Sequence, residues 1–246
     1  MSATVMDRCD TLACFSEEPG GLTRRFATPA LREAGDQVAA WMREAGLEVR
    51  RDAVGNLIGR REGRGGTLML RSHLDTVVDA GRYDGALGVL VAIECAARAE
   101  RAVEVVAFAD EEGVRYGTAY LGSAALAGRF DPAWLERVEA DGVRLGDLLE
   151  GLLERPRDDL AGYLEVHIEQ APRLEAEDVP VGVVSGIVGQ TRARVEFAGR
   201  AGHAGTVPME LRRDALCAAA EFVLAVESAG SSPPWGRRAW SRARRT

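Results

Sequence analysis

Leu31, Ala34, Val38, Trp41, Met42 and Ala45 recur three and four places apart, which lays an apolar stripe along one side of a helix. The spacing predicts an amphipathic helix from Leu31 to Leu47, with Gly46 as its C-terminal cap. Leu47 to Arg51, Asn56 to Arg60 and Thr67 to Ser72 then read as strands, divided by Gly55 and by a turn over Gly63–Gly66. Gly85 to Arg98 is alanine-rich and apolar, as in a buried helix. Val103 to Ala109 is a nearly unbroken apolar run, the mark of a central strand covered on both faces. Strands alternating with helices predict an α/β fold with a mixed or largely parallel sheet flanked by helices. A partly helical excursion from Gly117 to Leu160, broken by Gly128, Pro132, Gly142 and Pro156, precedes a returning strand from Gly162 to Ile168.

After Gly186 the period changes. Thr191, Ala193, Val195 and Phe197 alternate with Arg192, Arg194 and Glu196, which predicts a strand with one wet face. Such a half-exposed strand suggests the beginning of a smaller α+β domain, whose first helix is expected from Leu211 to Ser228. The expected division is therefore residues 1–185, then 186–230, then a last segment, 231–246, without periodicity.

Composition narrows the classes. With 46% hydrophobic residues in 246, the chain can bury a sizeable core, so disorder throughout is excluded. The formal charge is −7, yet the last sixteen residues hold Arg237, Arg238, Arg242, Arg244 and Arg245 and no acid. Without those five, 26 basic residues face 38 acidic ones, a net of −12, and such a body repels phosphate backbones. No nucleic-acid partner is expected. No basic segment leads into an apolar run, and no apolar run approaches the roughly 20 residues that span a bilayer, so a cytoplasmic protein with no membrane partner is expected. Cys9, Cys14, Cys95 and Cys217 form no CxxC pair, in keeping with reduced thiols. Lysine is absent, which suggests GC-rich coding DNA. The tail SSPPWGRRAWSRARRT is then either a natural flexible end or an out-of-frame reading of such DNA.

The three histidines, His73, His167 and His203, each lie in a polar cluster at the end of a predicted element. His73 and Asp75 are two apart on an extended chain and share a face, so the carboxylate can orient the imidazole as it does for a metal ligand. A surface histidine beside a capping aspartate fits the same residues. Asp84 stands before the apolar helix, where it is a metal ligand or an N-cap. Asp110-Glu111-Glu112-Gly113 follows the apolar strand at its carboxyl end, where open α/β folds place their sites, although a solvated acidic loop fits too. His167 and Glu169 share a face at the end of another strand, as ligand or as structural residues. Taken together, these His, Asp and Glu side chains suit divalent metals such as Zn²⁺, with one carboxylate bridging two ions and another left free as a base.

Five segments stand in one order: Ser72-His73-Leu74-Asp75, Tyr83-Asp84-Gly85, Asp110-Glu111-Glu112-Gly113, His167-Ile168-Glu169-Gln170 and Gly202-His203-Ala204-Gly205-Thr206-Val207-Pro208-Met209. The chain from Gly20 to Ser228 resembles the allantoate amidohydrolase, N-carbamoyl-L-amino-acid hydrolase and β-ureidopropionase branch of the aminoacylase/carboxypeptidase superfamily of dinuclear metallohydrolases. The resemblance implies a metallopeptidase-like catalytic domain followed by the start of a lid and dimerisation domain. It implies two divalent ions, Zn²⁺ or Mn²⁺, with His73 and His167 on one, Asp84 bridging and Glu112 on the other. Glu111 is the implied general base, Asp75 supports His73, Gln170 contacts substrate, and His203 stabilises the oxyanion in a homodimer, typically from a partner subunit. The implied substrate is a small ureido or carbamoyl compound, with allantoate favoured by the segments around Gln190 and His203. Departures are Arg71 and Ala171, where glycine is usual, and the lack of any histidine after His203 to complete the second metal site. A chain cut short or shifted in frame is therefore expected, and a catalytically inactive metal-binding protein is the reading from another class.

Overall fold

The computed structural model describes residues 4–149, 151, 159–187, 189, 191 and 193–229. Contacts divide the chain into two compact units, Met1–Ala176 and Glu177–Thr246. The expectation for the arginine-rich tail lies outside the described residues.

The first unit begins with α1 (Val5–Ala13), which the apolar spacing from Leu31 onward does not reach. Its signal is local: Thr4 and Asp7 bond each other's backbone in a capping box. α2 (Pro29–Glu44) is started by the Thr28 side chain and by proline at its first turn. β1 (Glu48–Arg51), β2 (Leu57–Arg61), β3 (Arg64–His73), α3 (Ala86–Ala97) and β4 (Arg101–Phe108) follow. The long excursion holds α4 (Leu121–Leu126) and two 3₁₀ turns, and β5 (Leu160–Leu164) and the short α5 (Arg173–Ala176) close the unit.

The sheet order is β1-β2-β4-β3-β5, antiparallel across β1/β2 and β2/β4 and parallel across β4/β3 and β3/β5. The expected mixed sheet with flanking helices is what forms. One face packs on α1, α2 and α3 through Leu12, Val38, Met42, Val89, Leu90, Ile93 and Val105. The other buries Ile58, Met69, Val106 and Phe108. α3 has no polar side of its own, and its apolar residues are consumed by this core, which is why its sequence is almost uniformly hydrophobic.

Four expectations need correction. β3 starts at Arg64, inside the expected Gly63–Gly66 turn, because Arg64 pairs with Arg101 and the ladder shifts register before Leu68. The strand expected to run to Ile168 stops at Leu164. Beyond it the chain turns in against α3, where the Val166 carbonyl fills the space that a Cβ on Gly88 would occupy, 2.2 Å away. In the second unit the strand expected over Thr191–Phe197 does not form among the described residues: 193–199 have no ladder partner, and a strand exists only by pairing. The helix there, α6 (Ala215–Ala229), begins later than Leu211, because the Asp214 carboxylate accepts the Leu216 and Cys217 N–H groups and so caps it. No described helix is long and apolar enough to cross a membrane.

Candidate metal centre

Parallel pairing decides what meets at the rim of the first unit. β3, β4 and β5 run the same way, with His73 opposite Phe108 and Leu70 opposite Leu164, so their carboxyl ends open on one edge of the sheet. His73 is the last residue of β3, Asp110, Glu111 and Glu112 leave β4, and His167 lies just past β5. Asp84 joins them from the connection before α3. Gly85 makes that approach possible. It sits at φ +64°, and a Cβ there would lie 2.6 Å from the atoms of the His73 ring.

Both histidines have their tautomer set by the main chain. His73 Nδ1 is 2.9 Å from the Asp75 carbonyl and His167 Nδ1 is 2.9 Å from the Ile168 carbonyl. A carbonyl only accepts, so each Nδ1–H donates and each Nε2 keeps its lone pair. Those lone pairs converge on Asp84: Oδ1 is 3.3 Å from His167 Nε2 and 4.0 Å from His73 Nε2. The rings stack with centroids 5.8 Å apart. His73, Asp84 and His167 bring ligand atoms within 4.8 Å of one another, and His73, Glu111 and Glu112 do the same. His73 Nε2 stands 3.8 Å from Glu111 Oε2.

The fit to a metal is tested by Asp84. Its Oδ1 is buried with no hydrogen-bond partner, while its Oδ2 accepts from Gln170 Nε2 at 2.8 Å. A buried carboxylate oxygen faced by two imidazole lone pairs is an acceptor among acceptors, which a divalent cation would satisfy. Two imidazoles with carboxylates suit Zn²⁺ or Mn²⁺.

The acids report the same deficit. Burial pushes Glu112 up to about 6 and Asp110 up to about 7; the charge of Asp75 adds to both, and Glu111 and Asp84 add further to Glu112. Burial likewise raises Asp75 and Glu111. For His73 burial acts downward, but the Asp75 and Glu111 charges outweigh it and its pKa rises. Each of these shifts favours the protonated form, and a cation held beside the carboxyls would reverse their direction.

Asp75 acts on both sides of the centre, although not as a plain carboxylate–imidazole pair. Its carbonyl takes the His73 proton, its Oδ1 lies 3.8 Å from Nδ1, and its Oδ2 accepts the Glu112 backbone N–H at 2.9 Å. Glu169 turns away from the two imidazoles to cap the following turn through Leu174 N. In the second unit, described by itself, His203 has the opposite tautomer: Nδ1 accepts from Gly205 N at 3.1 Å and Thr206 N at 3.2 Å, which leaves Nε2–H as a donor. Two histidines thus keep a free Nε2 lone pair, and the third keeps an Nε2–H.

The sequence pattern names Asp110 and Gly85 within its motifs but gives neither a role of its own. Asp110 is fully buried at φ +50° and accepts from Thr118 Oγ1 at 3.0 Å, and its left-handed backbone turns the chain so that Glu111 and Glu112 follow it into the rim. The available signal was an acid placed directly after seven apolar or buried strand positions, where solvation is impossible.

Residues 69–240 match the peptidase family M20/M25/M40. The chain is 42% identical over 249 residues to an allantoate deiminase of Arabidopsis thaliana, an alignment that covers 92% of this chain and 47% of that protein. It is 42% identical over 227 residues to an N-carbamoyl-L-amino acid amidohydrolase of Geobacillus stearothermophilus, covering 85% of this chain and 56% of the other. A hydantoinase/carbamoylase family amidase from Burkholderia ambifaria superposes with a TM-score of 0.76 at 33% identity, over 93% of this chain and 60% of that one. The chain spans about half the length of the curated relatives it matches. The family match extends over more than half of these residues and takes in His73, Asp84, Glu111, Glu112, His167 and His203, so this chain belongs to peptidase family M20/M25/M40.

Proposed function

We propose that the protein carrying this chain is a metal-dependent amidohydrolase that cleaves the ureido or carbamoyl C–N bond of a small molecule, with allantoate as the first substrate to test. The observation that carries the reading is the buried, unpartnered Asp84 Oδ1 between two imidazoles whose tautomers leave Nε2 free. The relatives' names, an allantoate deiminase and an N-carbamoyl-L-amino acid amidohydrolase, support the bond class. N-carbamoyl amino acids and β-ureidopropionate are the other substrates of that class.

His73, His167, Asp84 and Glu112 would hold the ions, with Asp84 between them. The ions supply Lewis acidity and a nucleophile at neutral pH. Glu111 then removes a proton from the attacking water and returns it to the leaving nitrogen, a role suited to a carboxyl whose pKa burial raises. Asp75 keeps the His73 ring and the Glu112 backbone in place. Gln170, which reaches Asp84, would contact substrate as well. His203 would donate Nε2–H to the developing oxyanion, from a partner subunit in a homodimer.

Glu111→Gln tests the assignment. It is expected to lower ammonia release from allantoate by at least about 10²–10⁴-fold while metal content stays at the parent level, because a base is lost and a ligand is not. Activity at the parent level, or a variant that no longer holds metal, would remove Glu111 from that role.

A further inference from the structure

Arg24 is among the largest fully enclosed side chains of the first unit, 1% exposed. A guanidinium in such a place must have its N–H groups satisfied, and these are satisfied by carbonyls. Nε donates to Leu74 O at 2.7 Å, and Nη1 donates to Leu12 O at 2.7 Å and to Phe15 O at 3.3 Å. The main chain doubles the connection: Arg24 N donates to Thr76 Oγ1 and Thr76 N donates to Arg24 O, both at 2.9 Å. Leu12 is in the last turn of α1, where its carbonyl also accepts the Phe15 N–H at 3.2 Å, and Phe15 lies just past the helix; carbonyls at a helix C-terminus favour a cation.

The other anchor points bracket one residue. Leu74 and Thr76 stand on either side of Asp75, whose carbonyl takes the His73 Nδ1 proton and whose carboxylate takes the Glu112 N–H. A tilt of this turn would move the acceptor that sets the His73 tautomer and the support of a second ligand at once. Burial lowers the Arg24 pKa to about 10, against a smaller upward pull from Asp75, so the group remains charged at neutral pH. Packing alone does not account for a charge here, because an apolar side chain of similar volume often serves a buried position as well or better.

We propose that Arg24 is a positioning residue of the metal centre, clamping the end of α1 to the Leu74–Thr76 turn so that His73 and Glu112 are held ready for metal. The proposal rests on the metal-centre reading given above, and the two are separable by experiment.

The measurement is Zn²⁺ affinity of the metal-stripped protein, by competition with a chromogenic chelator, with circular dichroism and thermal unfolding on the same samples. Arg24→Met is expected to weaken Zn²⁺ binding by about 10–100-fold, the loss typical of a support behind a metal ligand. Arg24→Lys should recover part of it, since an ammonium can serve one of the two anchors but not both. Leu12→Ala is the structural control: it thins the packing of α1 without removing the Leu12 carbonyl, so it should lower Tm and keep the parent affinity. Folded Arg24→Met with parent affinity would overturn the proposal, as would Leu12→Ala weakening Zn²⁺ as much as Arg24→Met does. Should Arg24→Met fail to fold, Arg24→Lys decides: weakened binding in folded protein supports the clamp and parent affinity overturns it. If the parent binds no Zn²⁺, or His73→Ala binds as well as the parent, the metal-centre reading itself falls, and the clamp with it.

Discussion

His73 and His167 make the same local bond, an Nδ1–H to a backbone carbonyl, yet their surroundings differ. The His73 side chain is 2% exposed and ends the interior strand β3, with Asp75, Gly85 and the parallel strand β4 packed around it. The His167 side chain is 31% exposed and stands on irregular chain beyond β5, an edge strand. That segment is held by separate contacts: Arg71 to Glu165 at 2.9 Å, Arg71 over the Tyr163 ring, Val166 against Gly88, and Gln170 to Asp84. The core therefore fixes one half of the centre, while side-chain ties place the other. Arg71, where the resembled family has glycine, is one of those ties.

The sharpest way to break this contrast is to remove each ring in turn. His73 contributes to both ligand groups, so His73→Ala is expected to leave no tightly held ion after dialysis, measured by metal analysis. His167→Ala should spare the neighbouring His73 and Glu112 side chains and retain a weaker ion. Equal loss in both variants would show that the edge segment matters as much as the core.

Gly85→Ala probes how tightly the core side is packed. The methyl would sit 2.6 Å from the His73 ring on a residue at φ +64°. Overpacking and left-handed strain together predict a loss of about 2–4 kcal/mol in denaturant unfolding, with metal affinity falling too. A variant as stable as the parent would mean that the ring and Asp84 can separate freely.

The smallest effect is a pH slope. Asp110 near about 7 and Glu112 near about 6 hold protons that the unfolded chain, with carboxyls near about 4, has already released. Their contribution to stability is therefore fully present below about pH 4 and is lost as pH rises through about 6 to 7. The raised His73 pKa acts in the same direction. Metal-free protein should show a lower Tm at pH 8 than at pH 5. Added Zn²⁺ should raise Tm more at pH 8, where the ligands are deprotonated. A metal-free Tm that climbs between pH 5 and pH 8 would contradict the acid cluster described here.

The candidate ligands are legible because each stands beside a structural signal that survives in one dimension. His73 follows a strand pattern, Asp84-Gly85 precedes an apolar helix, and the acids of Asp110–Glu112 end a run that cannot be solvated. α1 was missed because its capping box is a four-residue signal with no long apolar stripe behind it. The strand over Thr191–Phe197 was read from alternation, but alternation states only which side is apolar and cannot supply the neighbour that a ladder needs.

By itself, then, the sequence determined most elements of the first unit, the order of the segments that carry the candidate ligands and the α/β class, since periodicity and capping act over a few residues. Only the tertiary structure decided that β3, β4 and β5 run parallel and deliver His73, Glu112 and His167 to one rim. It alone decided that the Asp75 carbonyl, rather than the carboxylate, receives the His73 proton, and that Arg24 reaches across fifty residues to the turn that presents it. Those choices depend on register and on burial of one segment against another, and neither quantity exists until the chain has closed on itself.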